Sequence, residues 1–221
     1  MTEPTGTAPG RVVVFGASGG VGRRVVEQAL ARGLDVVAVV RSPGKLTVTD
    51  PRLTIVTAEL SDRGAIAAAV RGADAVISAL GPSLDRKATG MPLVEGTRNI
   101  VDGMQAAGVR RYVGMATPSL RDPRDGRSLI GTLVQTMGRV TLARAYRELL
   151  AMSEIVTSSD LDWTIARFLQ PTDRPATGKI RVGFMGRDKI GFPITRADIA
   201  TFLLDELDDT RFLRAAPAIS N

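Results

Sequence analysis

The sequence predicts an α/β fold, a single domain built on a doubly wound, mainly parallel sheet with helices on both faces. Three observations carry this. Short apolar runs alternate with amphipathic helical stretches along most of the chain. The runs are apolar throughout, as in strands buried on both faces. The first three helical stretches each stop at a glycine: Gly33, Gly72 and Gly108.

Residues 1–10 are polar and rich in Thr, Pro and Gly, and are expected to form a disordered leader; the domain is expected to span 11–221. Arg11 to Phe15 reads as the first strand. The turn from Gly16 to Gly22 leads into a helix with Val21, Val25, Val26, Ala29 and Leu30 on one face. Asp35 to Val40 gives the second strand, so strand, turn, helix and strand fit within one βαβ length. Leu53 to Thr57 is the third strand, followed by an alanine-rich helix from Arg63 to Arg71. Asp74 to Ala79 is a strand, Leu93 to Ala107 a helix and Arg111 to Ala116 a strand. A long helical stretch is expected within Ser128 to Thr157, then a sixth strand from Asp162 to Arg167. The remainder is less regular. Lys179 to Gly183 suits a short strand, Thr195 to Asp198 is a capping box opening a helix through Leu207, and Phe212 to Ile219 suits a last strand.

Composition narrows the chemistry. At 221 residues the chain is long enough for one sizeable core. It has no Cys and no His, which excludes disulfides, thiol nucleophiles, Ser-His-Asp triads and imidazole metal sites. Any catalysis falls to hydroxyls, carboxylates, backbone dipoles, Arg, Lys or a bound cofactor. The net charge of +6 is spread along the chain, and aromatics make up only 4%. That pattern offers no stacking platform or reading element for nucleic acid, so no direct nucleic-acid binding is expected. There is no apolar segment of a signal peptide and no run long enough to span a membrane, so a cytoplasmic location and no membrane partner are expected.

Gly16, Gly19 and Gly22 stand at the first strand-to-helix corner, the context in which a glycine string marks a Rossmann dinucleotide site. The first glycine allows the tight turn, the second lets a pyrophosphate approach the backbone, and the third lets helix and strand pack closely. The phosphates then meet free N–H groups at a helix N-terminus. At the end of the second strand, where an acidic residue would read a ribose 2′-hydroxyl, the chain has Arg41 and Ser42, with Lys45 nearby. A guanidinium there suits a 2′-phosphate, so NADP(H) is the expected cofactor. Glu59 is placed either to accept from an adenine amino group or to stand as a plain loop carboxylate. Thr117 brings a hydroxyl to the end of the fifth strand, either toward a nicotinamide or as a cap on the following turn. Residues 120–141 are open to two readings, a lid over the pocket or a surface helix.

The runs Phe15 to Gly22, Val39 to Ser42, Ala58 to Leu60, Val76 to Gly81, Leu161 to Arg167, Pro171 to Gly178 and Ile194 to Ala200 together resemble the NAD(P)H-binding atypical short-chain dehydrogenases. The similar group is the NmrA-like one, which includes biliverdin-IXβ/flavin reductase. The resemblance implies a Rossmann domain without a separate substrate domain, the substrate pocket lying in its C-terminal part. It implies NADP contacts at Gly16, Ser18, Gly19, Val21, Arg41, Glu59, Leu60 and Ala79. The expected cofactor set also takes in Gly20, Gly22, Ser42, Leu80, Gly81, Thr117, Phe168 and Leu169. Where the flavin reductases line the nicotinamide pocket with a serine and a histidine, this chain has Thr117 and Gln170, the candidate catalytic pair. Phe168 replaces the family's proline and either packs on a flat ring or fills the core.

Typical short-chain dehydrogenases pair a Tyr with a Lys four residues on. Here Tyr146 is followed at that spacing by Leu150, and Tyr112 falls inside a strand. A flat acceptor such as a flavin, quinone or tetrapyrrole takes hydride with protons from solvent and needs no strong protein acid. The expected function is therefore an NADPH-dependent oxidoreductase with a small-molecule redox substrate. The alternative is a non-catalytic NADP(H)-binding redox sensor with a protein partner.

Overall fold

The computed structural model describes residues 10–85, 87–127, 136 and 139–221. The expected leader, Gly10 apart, lies outside them, as do residues 128–135, 137 and 138 of the 120–141 segment. The elements in order are β1 (Arg11–Phe15), α1 (Gly20–Ala31), β2 (Asp35–Val40), a 3-10 turn at Pro43–Lys45, β3 (Leu53–Thr57), α2 (Arg63–Val70) and β4 (Ala75–Ser78). Then come α3 (Pro92–Ala107), β5 (Arg111–Ala116), α4 (Ala143–Thr157), β6 (Asp162–Arg167), β7 (Pro171–Thr172), β8 (Arg181–Gly183), β9 (Ile194–Thr195), α5 (Arg196–Asp205) and β10 (Ala218–Ser220).

Eight strands form one sheet in the order β3-β2-β1-β4-β5-β6-β10-β8, parallel except for the last pair. The apolar runs of β1, β2, β4, β5 and β6 are buried on both faces because successive side chains feed two cores, whereas the edge strand β3, also expected to be buried, is largely exposed. Val12 and Val14 of β1 join α1 and α5 on one face, while Val13 and Phe15 join α2, α3 and α4 on the other. Val36, Ala38 and Val40 of β2 divide from Val37 and Val39 in the same way. Each such Val, fully withdrawn from water, contributes about 1.5–3 kcal/mol. This is the doubly wound Rossmann architecture.

The departures lie in the C-terminal third. The last strand is three residues rather than eight; before it, pairing is reduced to a bridge between Thr164 and Ala215. Arg214 interrupts any longer strand by taking a left-handed backbone at φ 51°. β8 begins at Arg181, α5 ends at Asp205, and a small parallel pair, β7 with β9, was not expected. The capping box is half formed. Thr195 Oγ1 accepts from the Asp198 N–H, but the Thr195 N–H donates to Asn221 Oδ1 at 2.7 Å. Asp198 instead accepts from the backbone of Thr177 and Gly178 and from the side chains of Thr177, Thr195 and Asn221. Burial raises its pKa, but these bonds outweigh that and hold the carboxyl below its ordinary value. The segment after β7 is thereby fixed to the start of α5.

Candidate functional site

The glycine turn explains itself sterically. Gly16 has φ 74°, and a Cβ there would lie 2.8 Å from the Ala79 carbonyl oxygen, so β4 ends hard against it. A Cβ on Gly22 would lie 2.1 Å from the Gly16 oxygen, which fixes how closely α1 packs on β1. Gly19 caps α1 without any side-chain hydrogen bond, and the first turn of α1 holds no acidic residue. Among the described residues, the opening N–H groups of the helix therefore meet no competing side-chain acceptor, as a phosphate site requires.

Beside this turn, at the carboxyl ends of β1 to β4, lies a cleft of about 490 Å³. Its walls bring together nine of the expected residues, Gly16, Ser18, Gly19, Arg41, Glu59, Leu60, Ala79, Leu80 and Gly81, and add Ala58, which was not among them. Gly20 is exposed at the start of α1, while the Val21 side chain and Gly22 are buried behind the turn. Arg41, Ser42 and Glu59 are exposed. Arg41 has no ion-pair or hydrogen-bond partner among the described residues. Leu60 rests on Gly96, where a Cβ would come within 2.7 Å of the leucine, and the Leu60 carbonyl accepts from Asn99 at 2.8 Å.

The second expected cluster stands apart from that cleft. Thr117, Phe168, Leu169 and Gln170 follow the ends of β5 and β6, neighbouring strands joined by the bond from the Phe168 N–H to the Ala116 oxygen. None of the four lines the cleft. Thr117 Oγ1 accepts weakly from the Ser119 N–H at 3.4 Å, the turn-capping arrangement. Phe168 is half-buried against the core shared with α1 and α5. Gln170 is exposed with φ 50°, an uncommon conformation for a residue with a side chain.

Sequence reasoning missed the far wall. Arg144 and Glu148 of α4 line the cleft together with Ser83, Thr89, Leu93 and Glu95. The Glu148 side chain is 1% exposed; it accepts from Arg144 at 2.8 Å and from the Leu93 N–H at 2.9 Å. Arg144 also donates to the carbonyls of Gly90 and Ser83. The pair thus straps the segment between β4 and α3 onto α4. The Arg-x-x-x-Glu spacing was the signal that could have found it. The two tyrosines are committed elsewhere. Tyr112 is buried, which pushes its pKa up to about 12 despite a hydrogen bond with Ser78, and the Tyr146 hydroxyl accepts from Arg139 at 3.1 Å.

The chain is similar to known proteins in sequence and fold. A family described as NAD(P)H-binding matches residues 16–210. A 3-beta-hydroxysteroid dehydrogenase of Mycolicibacterium neoaurum is 37% identical over 131 residues, covering 54% of this chain and 36% of that protein. A 3-diazoavenalumate denitrifying reductase of a Streptomyces species is 29% identical over 212 residues, 87% of this chain and 67% of that one. The chain spans 32% to 62% of the length of the first three curated relatives it matches. Among solved structures, an anaerobillin reductase of Escherichia coli O157:H7 superposes with a TM-score of 0.75 at 25% identity, covering 95% of this chain and 96% of that one.

Proposed function

Because the chain belongs to the NAD(P)H-binding family, among the atypical short-chain dehydrogenases and reductases, we propose that it is an NADPH-dependent oxidoreductase delivering hydride to a flat acceptor such as a flavin, quinone or tetrapyrrole. One observation carries the cofactor choice. Arg41, at the carboxyl end of β2, lines the cleft and, among the described residues, forms no ion pair or hydrogen bond, not even with Glu59 of the same wall. A guanidinium so placed favours a 2′-phosphate by charge and by its planar fork of donors.

The glycine turn fits a dinucleotide, since both Gly16 and Gly22 occupy places where a Cβ would collide with backbone. Bound there, the reduced nicotinamide supplies the hydride. The chain's own contributions are the open N–H groups of α1 for the pyrophosphate, Arg41 for the 2′-phosphate and Glu59 for the adenine edge. Thr117 and Gln170 are assigned to the nicotinamide and the acceptor, holding them in reach. Neither side chain titrates near neutral pH, so protons come from solvent, which is what favours a flat redox acceptor over a ketone.

A second reading, a non-catalytic NADP(H) sensor, draws support from the cleft lining, which among the described residues contains no tyrosine and no lysine. The deciding experiment follows NADPH oxidation by the purified chain against flavins, quinones, linear tetrapyrroles and carbonyl compounds, with NADH alongside. Turnover of flat acceptors with NADPH is expected. NADPH binding with no turnover across the panel would establish the sensor instead.

A further inference from the structure

Arg196 is the first residue of α5, directly after the cap Thr195, yet its side chain reaches across to a different helix. It lies over Gly20 in the first turn of α1, with its Nε 2.8 Å and its Cδ 2.9 Å from where a Cβ on Gly20 would stand. Electrostatically this is the wrong place for a cation. The N-terminus of α1 carries partial positive charge with no acidic residue in its first turn, and Arg23 follows there, whereas Asp198 already stands in the first turn of α5. Among the described residues, the one carboxylate that meets the guanidinium is Asp173, 2.7 Å from Nη1. Its side chain is 75% exposed, so the pair contributes little to stability. Nε and Nη2 have no hydrogen-bond partner among the described residues.

A cation held against the uncompensated positive end of α1 is stabilised when an anion enters between them. We infer that Arg196 is a phosphate-binding residue of the dinucleotide site, clamping the pyrophosphate from the side opposite the glycine turn, with Asp173 as an exchangeable counter-ion occupying the guanidinium until the ligand arrives. Gly20 has a role distinct from those of Gly16 and Gly22, since its missing side chain makes room for the arginine rather than for backbone. The inference rests on the dinucleotide reading above and adds to it a basic residue from the C-terminal third of the chain.

The test is calorimetric titration of the whole chain with NADPH, with ADP and with adenosine 2′-monophosphate, over a range of salt concentrations. Arg196→Gln is expected to weaken NADPH and ADP about tenfold, to leave adenosine 2′-monophosphate within twofold, and to lower the salt dependence by about one ionic contact. Arg196→Lys restores part of the loss. Asp173→Asn tightens NADPH two- to threefold by removing the competitor. Gly20→Ala, which displaces the guanidinium without removing it, weakens NADPH similarly, and the double variant Gly20→Ala/Arg196→Gln is no weaker than either alone. Thermal melts identify any variant that fails to fold, and Asp173→Asn keeps the inference testable in that case. NADPH binding by Arg196→Gln within twofold of the parent overturns the inference alone, as does equal weakening of all three ligands. A parent chain that binds no dinucleotide overturns the site reading and the inference together.

Discussion

Arg167, at the end of β6, and Asp125, 42 residues earlier, form a two-point ion pair with Nη1 to Oδ2 at 2.6 Å and Nη2 to Oδ1 at 2.7 Å. Both side chains are nearly inaccessible. Asp125 also accepts from the N–H groups of Asp122 and Met185, while Arg167 donates to the Leu120 carbonyl. The turn after β5, the end of β6 and the segment after β8 are thereby joined at one point.

Asp125→Ala leaves a buried guanidinium without its charge partner and is expected to cost about 3–5 kcal/mol, seen as a lower urea midpoint. The pair also confers acid sensitivity. Burial pushes the Asp125 carboxyl up, but the bonds from Arg167 and the backbone outweigh this and hold it below its ordinary value. Its stabilisation is therefore present above the unfolded-state carboxyl pKa and lost as pH falls through the lower folded value. Urea titrations from pH 5 downward should show a steeper loss in the parent chain than in Asp125→Ala.

Glu206 predicts the opposite slope. Its carboxyl is nearly inaccessible, its Oε2 has no hydrogen-bond partner, and Arg111 Nη2 stands 3.7 Å away. Burial first, and then the charge of Asp209, push its pKa up to about 7, with Arg111 pulling only partly back. Between the ordinary value of 4.5 and about 7 the folded chain keeps a proton that the unfolded chain has lost. Stability from this group therefore falls as pH rises through that window and levels off above it. Glu206→Gln should remove the slope and raise stability at pH 8 by on the order of 1 kcal/mol, measured by thermal melts at pH 5 and pH 8.

Arg41→Asp should reverse the cofactor preference. Losing the charged donor and gaining a like charge is expected to weaken NADPH about 10- to 100-fold while NADH changes little, in parallel titrations of both nucleotides. An unchanged NADPH-to-NADH ratio would sink the assignment of the 2′-phosphate to this residue.

Glu148→Ala should loosen the cleft wall without touching the glycine turn. It strands the Leu93 N–H and removes the carboxylate that holds Arg144. The expected result is a loss of about 3 kcal/mol together with faster amide exchange across residues 83–93. Exchange unchanged in that stretch would show that the carbonyl bonds of Arg144 suffice.

What the sequence disclosed and what it hid divide along local and long-range chemistry. β1 to β6 were legible because runs such as Val12 to Phe15 are apolar at every position and punctuated by glycine, a pattern with few other solutions. Half of the cleft was legible because Gly16, Gly19, Gly22 and Arg41 act within one βαβ unit. Arg144 and Glu148 show locally only their Arg-x-x-x-Glu spacing, since what they hold lies 50 or more residues away, and Arg196 carries no local mark in an arginine-rich chain. The short final strand was hidden for a related reason. Its end is decided by the left-handed turn at Arg214 and by the Thr195–Asn221 contact, neither of which alters hydrophobic periodicity.

The contact of Gly16 with Ala79 sets a temporal order on the binding site. β1 can pair with β2 as soon as one helix has formed between them, but its other neighbour, β4, begins only at Ala75. Closing that longer loop is the slower event, since chain entropy is lost before any contact repays it. Until β4 docks, the turn at Gly16 has one wall, and nucleotide affinity must lag behind β1–β2 pairing during refolding. A substitution at Gly16 would act on both steps, straining the turn within the first βαβ unit at φ 74° and obstructing the docking of β4.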